Sequence, residues 1–171
     1  MAARLRLAPP TDADRREFVR LVEDSYDLHR PWTFPPADAA GYRRLLERNE
    51  REDFDLSLLR RADDDAIVGM FELSGIVRLF FQNAYLGYWV GAPYAGRGYM
   101  TAGMRLLFRH AFGELKLHRL EANIQPQNHR SIALAKRSGF RREGYSPRYL
   151  KIGGRWRDHE RWAILAEDLR N

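Results

Sequence analysis

Apolar and polar residues alternate over residues 4–8, where Leu5 and Leu7 interleave with Arg4 and Arg6, and this predicts a short strand. Pro9-Pro10 ends it, and Thr11 or Asp12 then caps a helix whose apolar face carries Phe18, Leu21, Val22 and Ser25-Tyr26. Three prolines between His29 and Pro36 predict a loop, because proline breaks regular hydrogen bonding. A second helix starts near Asp38 and turns Tyr42, Leu45 and Leu46 inward. The period then falls to two. Residues 54–60 and 65–73 predict a hairpin turning at Ala62-Asp63-Asp64-Asp65, and residues 76–91 predict a strand end, a turn near Gln82-Asn83 and the next strand. Helical spacing returns with Met100, Met104, Leu107, Phe108 and Ala111. A strand over 119–125 stops at Pro126, and Asn128 caps a helix bearing Ile132 and Ala135. Gly139 suits the left-handed exit of that helix. A closing hairpin, 148–152 with 156–166, turns at Gly153-Gly154.

That order gives an α/β (α+β) chain with neither an internal repeat nor a low-complexity linker, and one domain over 1–171 is the expectation. Composition narrows the chemistry. The absence of cysteine excludes a thiol nucleophile and a cysteine-held metal, and suits a reducing cytoplasm. No apolar run is long enough for a membrane span, and the first residues carry no signal-peptide core, so a cytoplasmic protein without a membrane partner is expected. The formal charge is +6, from 29 Lys and Arg against 23 Asp and Glu, and the basic residues concentrate after Arg130. Such a cluster serves nucleic acid, a polyanionic cofactor or a solvated surface equally well, since phosphates bind arginine whatever carries them.

The chemistry gathers between Leu86 and Phe140. Gly96-Arg97-Gly98-Tyr99-Met100 is a glycine turn opening a helix, where free backbone N–H groups and the helix dipole favour a pyrophosphate. No Gly-x-x-x-x-Gly-Lys-Ser/Thr occurs, and residue 101 is Thr where a dinucleotide fingerprint needs a third glycine. No histidine pair has metal-ligand spacing, so no metal is expected. The ordered set Tyr85-Leu86-Gly87-Tyr88-Trp89-Val90, Gly96-Arg97-Gly98, Asn128-His129-Arg130-Ser131, Ser138-Gly139-Phe140, Glu143-Gly144-Tyr145 and Gly154-Arg155-Trp156-Arg157-Asp158-His159 resembles the GNAT acyl-CoA N-acyltransferases. Within them it resembles the ribosomal-protein-alanine N-acetyltransferases. Two positions depart from the pattern: the leading Arg or Gln of the phosphate signature falls on Pro93, and Tyr85 stands where some relatives carry a carboxylate.

The resemblance implies a mixed, mostly antiparallel central sheet flanked by helices and splayed between its fourth and fifth strands. It implies acetyl-CoA as co-substrate, its pantetheine arm paired with backbone of Trp89, Val90 and Gly91 and its pyrophosphate wrapped by Gly96, Arg97, Gly98, Tyr99 and Met100. Asn128 would reach the pantetheine amides, and Ser131 would donate to the departing thiolate. His29, Pro31 and Trp32 would lie over the acceptor. Three sources of base stay open: water acting on a weakly basic α-amine, Glu72 on the third strand, or the Asp158-His159 pair. The acceptor implied is the amino terminus of a protein or peptide, such as a ribosomal one. A small amine (a polyamine or an antibiotic) and a non-catalytic RNA- or ribosome-binding module are the alternatives, and a homodimer is compatible with the family.

Overall fold

In the computed structural model, which describes residues 4–169, alternating apolar residues build seven strands that pair into one sheet. They are β1 (Leu5–Ala8), β2 (Phe54–Arg61), β3 (Ile67–Val77), β4 (Asn83–Val90), β5 (Arg119–Ile124), β6 (Arg141–Ile152) and β7 (Arg155–Leu165), in the order β1-β2-β3-β4-β5-β7-β6. The helices are α1 (Arg15–Asp24), α2 (Tyr26–His29), α3 (Ala39–Asn49), α4 (Tyr99–Phe108) and α5 (His129–Arg137).

Every pair is antiparallel except β4 with β5. That parallel pairing lasts three positions, Asn83 with Arg119, Ala84 with Leu120 and Tyr85 with Glu121. Beyond it the strands part. Leu86 to Val90 stay paired with β3, and Ala122 to Ile124 with β7, so each strand turns an unpaired edge to the gap. The mixed, splayed sheet that the resemblance implies is therefore present.

Two apolar clusters hold the layers together. On one face Met104, Leu107 and Phe108 of α4 and Leu134 and Ala135 of α5 pack on Phe71, Leu86, Leu120 and Ile124. On the other, Phe18, Leu21 and Val22 of α1 and Tyr42 and Leu45 of α3 pack on Leu56, Leu58, Met70 and Trp89. Burying side chains of this size stabilises by about 1.5–3 kcal/mol each.

Three boundaries differ from expectation. Asp12–Asp14 is a 3-10 turn, capped by Asp14 accepting from the Thr11 N–H at 2.8 Å, and α1 starts only at Arg15. The helical face then breaks at Ser25, whose hydroxyl donates to the Leu21 carbonyl at 2.6 Å, so His29 ends the separate helix α2 rather than opening a loop. Strand β6 begins at Arg141, not near 148, because register shifts after Arg142 and after Ser146 disrupt the alternation that marks a strand.

Helix α4 runs on as a π-helical turn, Arg109–Glu114, pinned by His110. Its Nε2 meets Asp55 of β2 at 3.0 Å and its Nδ1 meets Glu114 at 2.7 Å. The Asp55 hydrogen bond leads in pushing the imidazole pKa from 6.5 up to about 9. A pKa raised on folding stabilises fully below the unfolded value and loses that contribution as pH rises through the folded one, here between about 6.5 and 9. Glu114 is largely exposed and Asp55 partly so, and solvent screening limits the contribution to about 1 kcal/mol. Denaturant unfolding at pH 6 and pH 10 should show the wild type losing more stability than His110→Gln, whose stability lacks this titration.

Candidate active site

A cavity of about 1380 Å³ runs through the gap between β4 and β5 and opens on both faces of the sheet. On the face of α4 and α5 its wall holds Tyr88, Met100, Ser131 and Leu134; on the face of α3 it holds Glu72, Ser74 and Tyr85. The alternation of strand side chains sets this division, since Glu72 and Ser74 of β3 stand opposite Gly87 and Tyr85 of β4.

At one end lies the glycine turn. Gly96 and Gly98 hold φ of +73° and +81°, and a Cβ at either would meet nothing within 4 Å. They are glycines for backbone conformation and for open space beside them, not for packing. Gly98 caps α4, whose first backbone bond runs from the Ala102 N–H to the Gly98 carbonyl at 3.1 Å. The N–H groups of Tyr99, Met100 and Thr101 therefore precede the helical ladder and suit a diphosphate.

Midway, Asn128 caps α5 by accepting from the Ser131 N–H at 3.2 Å, which leaves its amide N–H groups for a ligand carbonyl. Ser131, one turn in, meets the Tyr88 hydroxyl at 2.6 Å. On the other face of β5 from Ala122 and Ile124, the Asn123 side-chain carbonyl is buried without a partner in the cavity wall, an acceptor on the side away from α4 and α5. The glycine turn and the free Asn128 amide fit the diphosphate and pantetheine of a CoA thioester.

On the opposite face Glu72 lines the cavity, and Arg48 of α3 reaches it at 3.5 Å. Burial raises the Glu72 pKa above the usual carboxylate range, and Arg48 pulls in the other direction. The strand pattern favours a solvent-facing Glu72; in the structure its side chain is largely buried and lines the cavity.

Several expected residues sit elsewhere. Gly91 is outside the wall: its N–H donates to the Val68 carbonyl at 2.8 Å, and a Cβ there would lie 2.5 Å from Leu21 Cδ1. It is a packing glycine beneath α1 and offers no free donor to a pantetheine arm. Arg97 is exposed outside the wall, and so is Pro31. Trp89 and Val90 line the cavity, but the Val90 carbonyl takes a hydrogen bond from His29 Nε2 at 2.9 Å. His29 is 5% exposed and lies 5.1 Å edge-on to the Trp89 ring; burial lowers its pKa against the pull of the Val90 bond, and it anchors the end of β4 as well as lining the cavity. Trp32 lines the cavity and its carbonyl accepts from Gln125 at 3.3 Å. Asp158 does not orient His159. Its carboxylate accepts from the Tyr145 hydroxyl and the Arg148 N–H, whereas His159 Nδ1 donates to the Arg157 carbonyl at 3.0 Å.

Two further residues of the cavity wall, Tyr88 and Asn123, are not among the candidates that the sequence names. Tyr88 reads as part of an aromatic core strand, and only its register opposite α5 reveals the hydroxyl's partner.

Comparison with known proteins agrees with this geometry. The model of the family described as "Acetyltransferase (GNAT) domain" matches residues 4–141. A Bacillus subtilis protein named probable N-acetyltransferase YjcK is 39% identical over 74% of this chain and 68% of its own length. The [ribosomal protein uS5]-alanine N-acetyltransferase of Escherichia coli is 39% identical over 62% of this chain, which spans 55% of that enzyme's length. Mycobacterium smegmatis RimJ, solved in complex with CoA-disulfide, superposes with a TM-score of 0.89 at 27% identity, over 98% of this chain and 84% of that one.

Proposed function

The chain belongs to the GNAT acetyltransferase family and resembles its ribosomal-protein-alanine branch; from that premise we propose that it transfers acetyl from acetyl-CoA to a protein α-amino group, a ribosomal amino terminus foremost. The observation that carries this reading is the parting of β4 and β5 beyond Tyr85 and Glu121, with the Gly98-opened helix at one end of the gap. Acetyl-CoA lies along the gap from the α4 and α5 face, Gly96, Gly98 and the first turn of α4 taking its diphosphate. The amine enters from the α3 face, past Trp32 and Glu72, and attacks the thioester carbonyl directly. With no cysteine in the chain, an acyl-cysteine intermediate is excluded. Holding amine and thioester together supplies much of the rate, and Ser131 stabilises the departing sulfur.

Charge in the cavity wall supports a peptide acceptor. A polyamine presents several cations, whereas a peptide terminus presents one. Asp27 and Glu72 are the carboxylates in the cavity wall, with apolar Trp32, Leu150 and Ile152 nearby, which suits a single amine followed by a chain. Of the basic residues after Arg130, Arg141 and Arg142 are engaged by Asp168 and Glu160, which takes some support from an RNA-binding module. The cytoplasm suits such an enzyme.

Thiol release from acetyl-CoA, followed with peptides beginning in Ala, Ser or Met and with spermidine, tests the reading. Release with peptides and a mass gain of one acetyl group at the terminus is expected. Release with spermidine alone would move the acceptor to small amines, and failure to bind acetyl-CoA would overturn the enzymatic reading.

A further inference from the structure

The Ser131 hydroxyl has a partner whose place in the reaction the family likeness does not explain. Tyr88 projects from β4 toward α5, and its phenol oxygen lies 2.6 Å from Ser131 Oγ and 3.3 Å from the Ser131 carbonyl. Each hydroxyl has one proton, so the direction of the short bond decides what Ser131 can do. A phenol is the stronger acid and the better donor, and a serine hydroxyl accepts well. The 3.3 Å contact to the carbonyl is the weaker alternative for the phenolic proton.

We propose that Tyr88 is a positioning residue for Ser131: its phenol donates to Ser131 Oγ and turns the serine proton toward the space between the parted strands. This deepens the acetyl-transfer reading and rests on it. During transfer the amine lone pair forms the C–N bond, the C–S bond breaks, and the electron pair leaves on sulfur. The nitrogen sheds its surplus proton, the thiolate later takes one up, and the products are an amide and the CoA thiol. Ser131 donates a hydrogen bond to the thiolate as it forms, and a hydroxyl that already accepts from a phenol is the stronger donor. Burial pushes the Tyr88 pKa up to about 12, against the pull of the Ser131 bond. A thiolate, with a thiol pKa of about 8.5, does not deprotonate such a phenol, so the pair stabilises the anion by hydrogen bonding and keeps its protons.

Tyr88→Phe keeps the ring packed on the apolar cluster and removes only the hydroxyl. With a peptide acceptor, kcat is expected to fall about tenfold, because a serine proton no longer held toward the gap makes a weaker bond to the developing charge, while KM for acetyl-CoA changes less than about twofold. In a Ser131→Ala background the same change should cost nothing further, because there is no hydroxyl left to orient. A purely structural tyrosine would give effects that multiply, and that result, or a wild-type kcat in Tyr88→Phe, overturns the proposal. A second measurement needs no tyrosine variant. The ultraviolet absorbance of the thiolate reports the thiol pKa of CoA bound to the wild type and to Ser131→Ala. A value lowered by about one unit in the wild type and returned to that of free CoA in Ser131→Ala is expected. A bound thiol that titrates like free CoA in both overturns the proposal while leaving acetyl-CoA binding and turnover intact. Absence of CoA binding to the wild type would overturn both this and the reading beneath it.

Discussion

Gly98→Asp should raise the KM for acetyl-CoA by more than about a hundredfold and leave the protein folded. The two effects separate because of where Gly98 stands. Its φ of +81° excludes most side chains, yet aspartate tolerates the left-handed region better than other residues and is a favoured helix cap. A Cβ there meets nothing within 4 Å, so no protein atom need move. Net stability should therefore change by about 1 kcal/mol or less. Binding is different. The added carboxylate stands at the amino end of α4, where the diphosphate would be held, and two like charges replace a charge facing N–H donors. Loss of two charge-assisted hydrogen bonds, at about 1.5–3 kcal/mol each, already corresponds to a hundredfold or more. Gly98→Asn keeps the shape without the charge and should lie between the two, so the gap between Asp and Asn isolates the electrostatic part. Acetyl-CoA KM, CoA affinity and thermal unfolding measured on all three proteins make the check. An unchanged KM in Gly98→Asp would remove the glycine turn from the cofactor site.

Gly98 also shows what was legible beforehand. A glycine turn, an asparagine before a helix and a double-glycine hairpin are local signals, readable because each acts within a few residues. The three boundaries marked by Gly98, Asn128 and Gly153-Gly154 all stand where expected. Gly91 carries the same letter with a different cause. Its reason is Leu21, brought against it by the packing of α1 over the sheet, and no local pattern announces that contact. Strand β6 is obscured in a third way, because its two register shifts and its exposed arginines erase alternation. Candidate site residues divide similarly. Ser131 follows its cap at fixed spacing and is visible, whereas Tyr88 depends on the register of β4 against a helix more than forty residues later. Register is a property of the assembled sheet.

Glu72 carries the second large effect. It lines the cavity on the α3 face, its pKa is raised first by burial, and Arg48 at 3.5 Å holds it back. If it accepts the amine's proton, directly or through water, the rate depends on two deprotonations. One is the amine itself, near 8 for a peptide terminus, and the other is Glu72, above the ordinary carboxylate value. Log kcat/KM should rise with slope two below the Glu72 pKa, with slope one between the two values, and level off above about 8. Glu72→Gln removes the lower limb, leaving slope one throughout the acid range, and lowers the plateau by about a hundredfold, the usual contribution of a positioned base. Arg48→Gln tests the same group from its other side. Without the guanidinium the carboxylate is harder to ionise, so the lower limb should move to higher pH while the plateau stays within about twofold. A structural role for the pair predicts something else: lower stability in both variants with the shape of the profile unchanged. A Glu72→Gln enzyme with the wild-type profile and plateau would leave water as the base, acting on an amine already partly free at neutral pH.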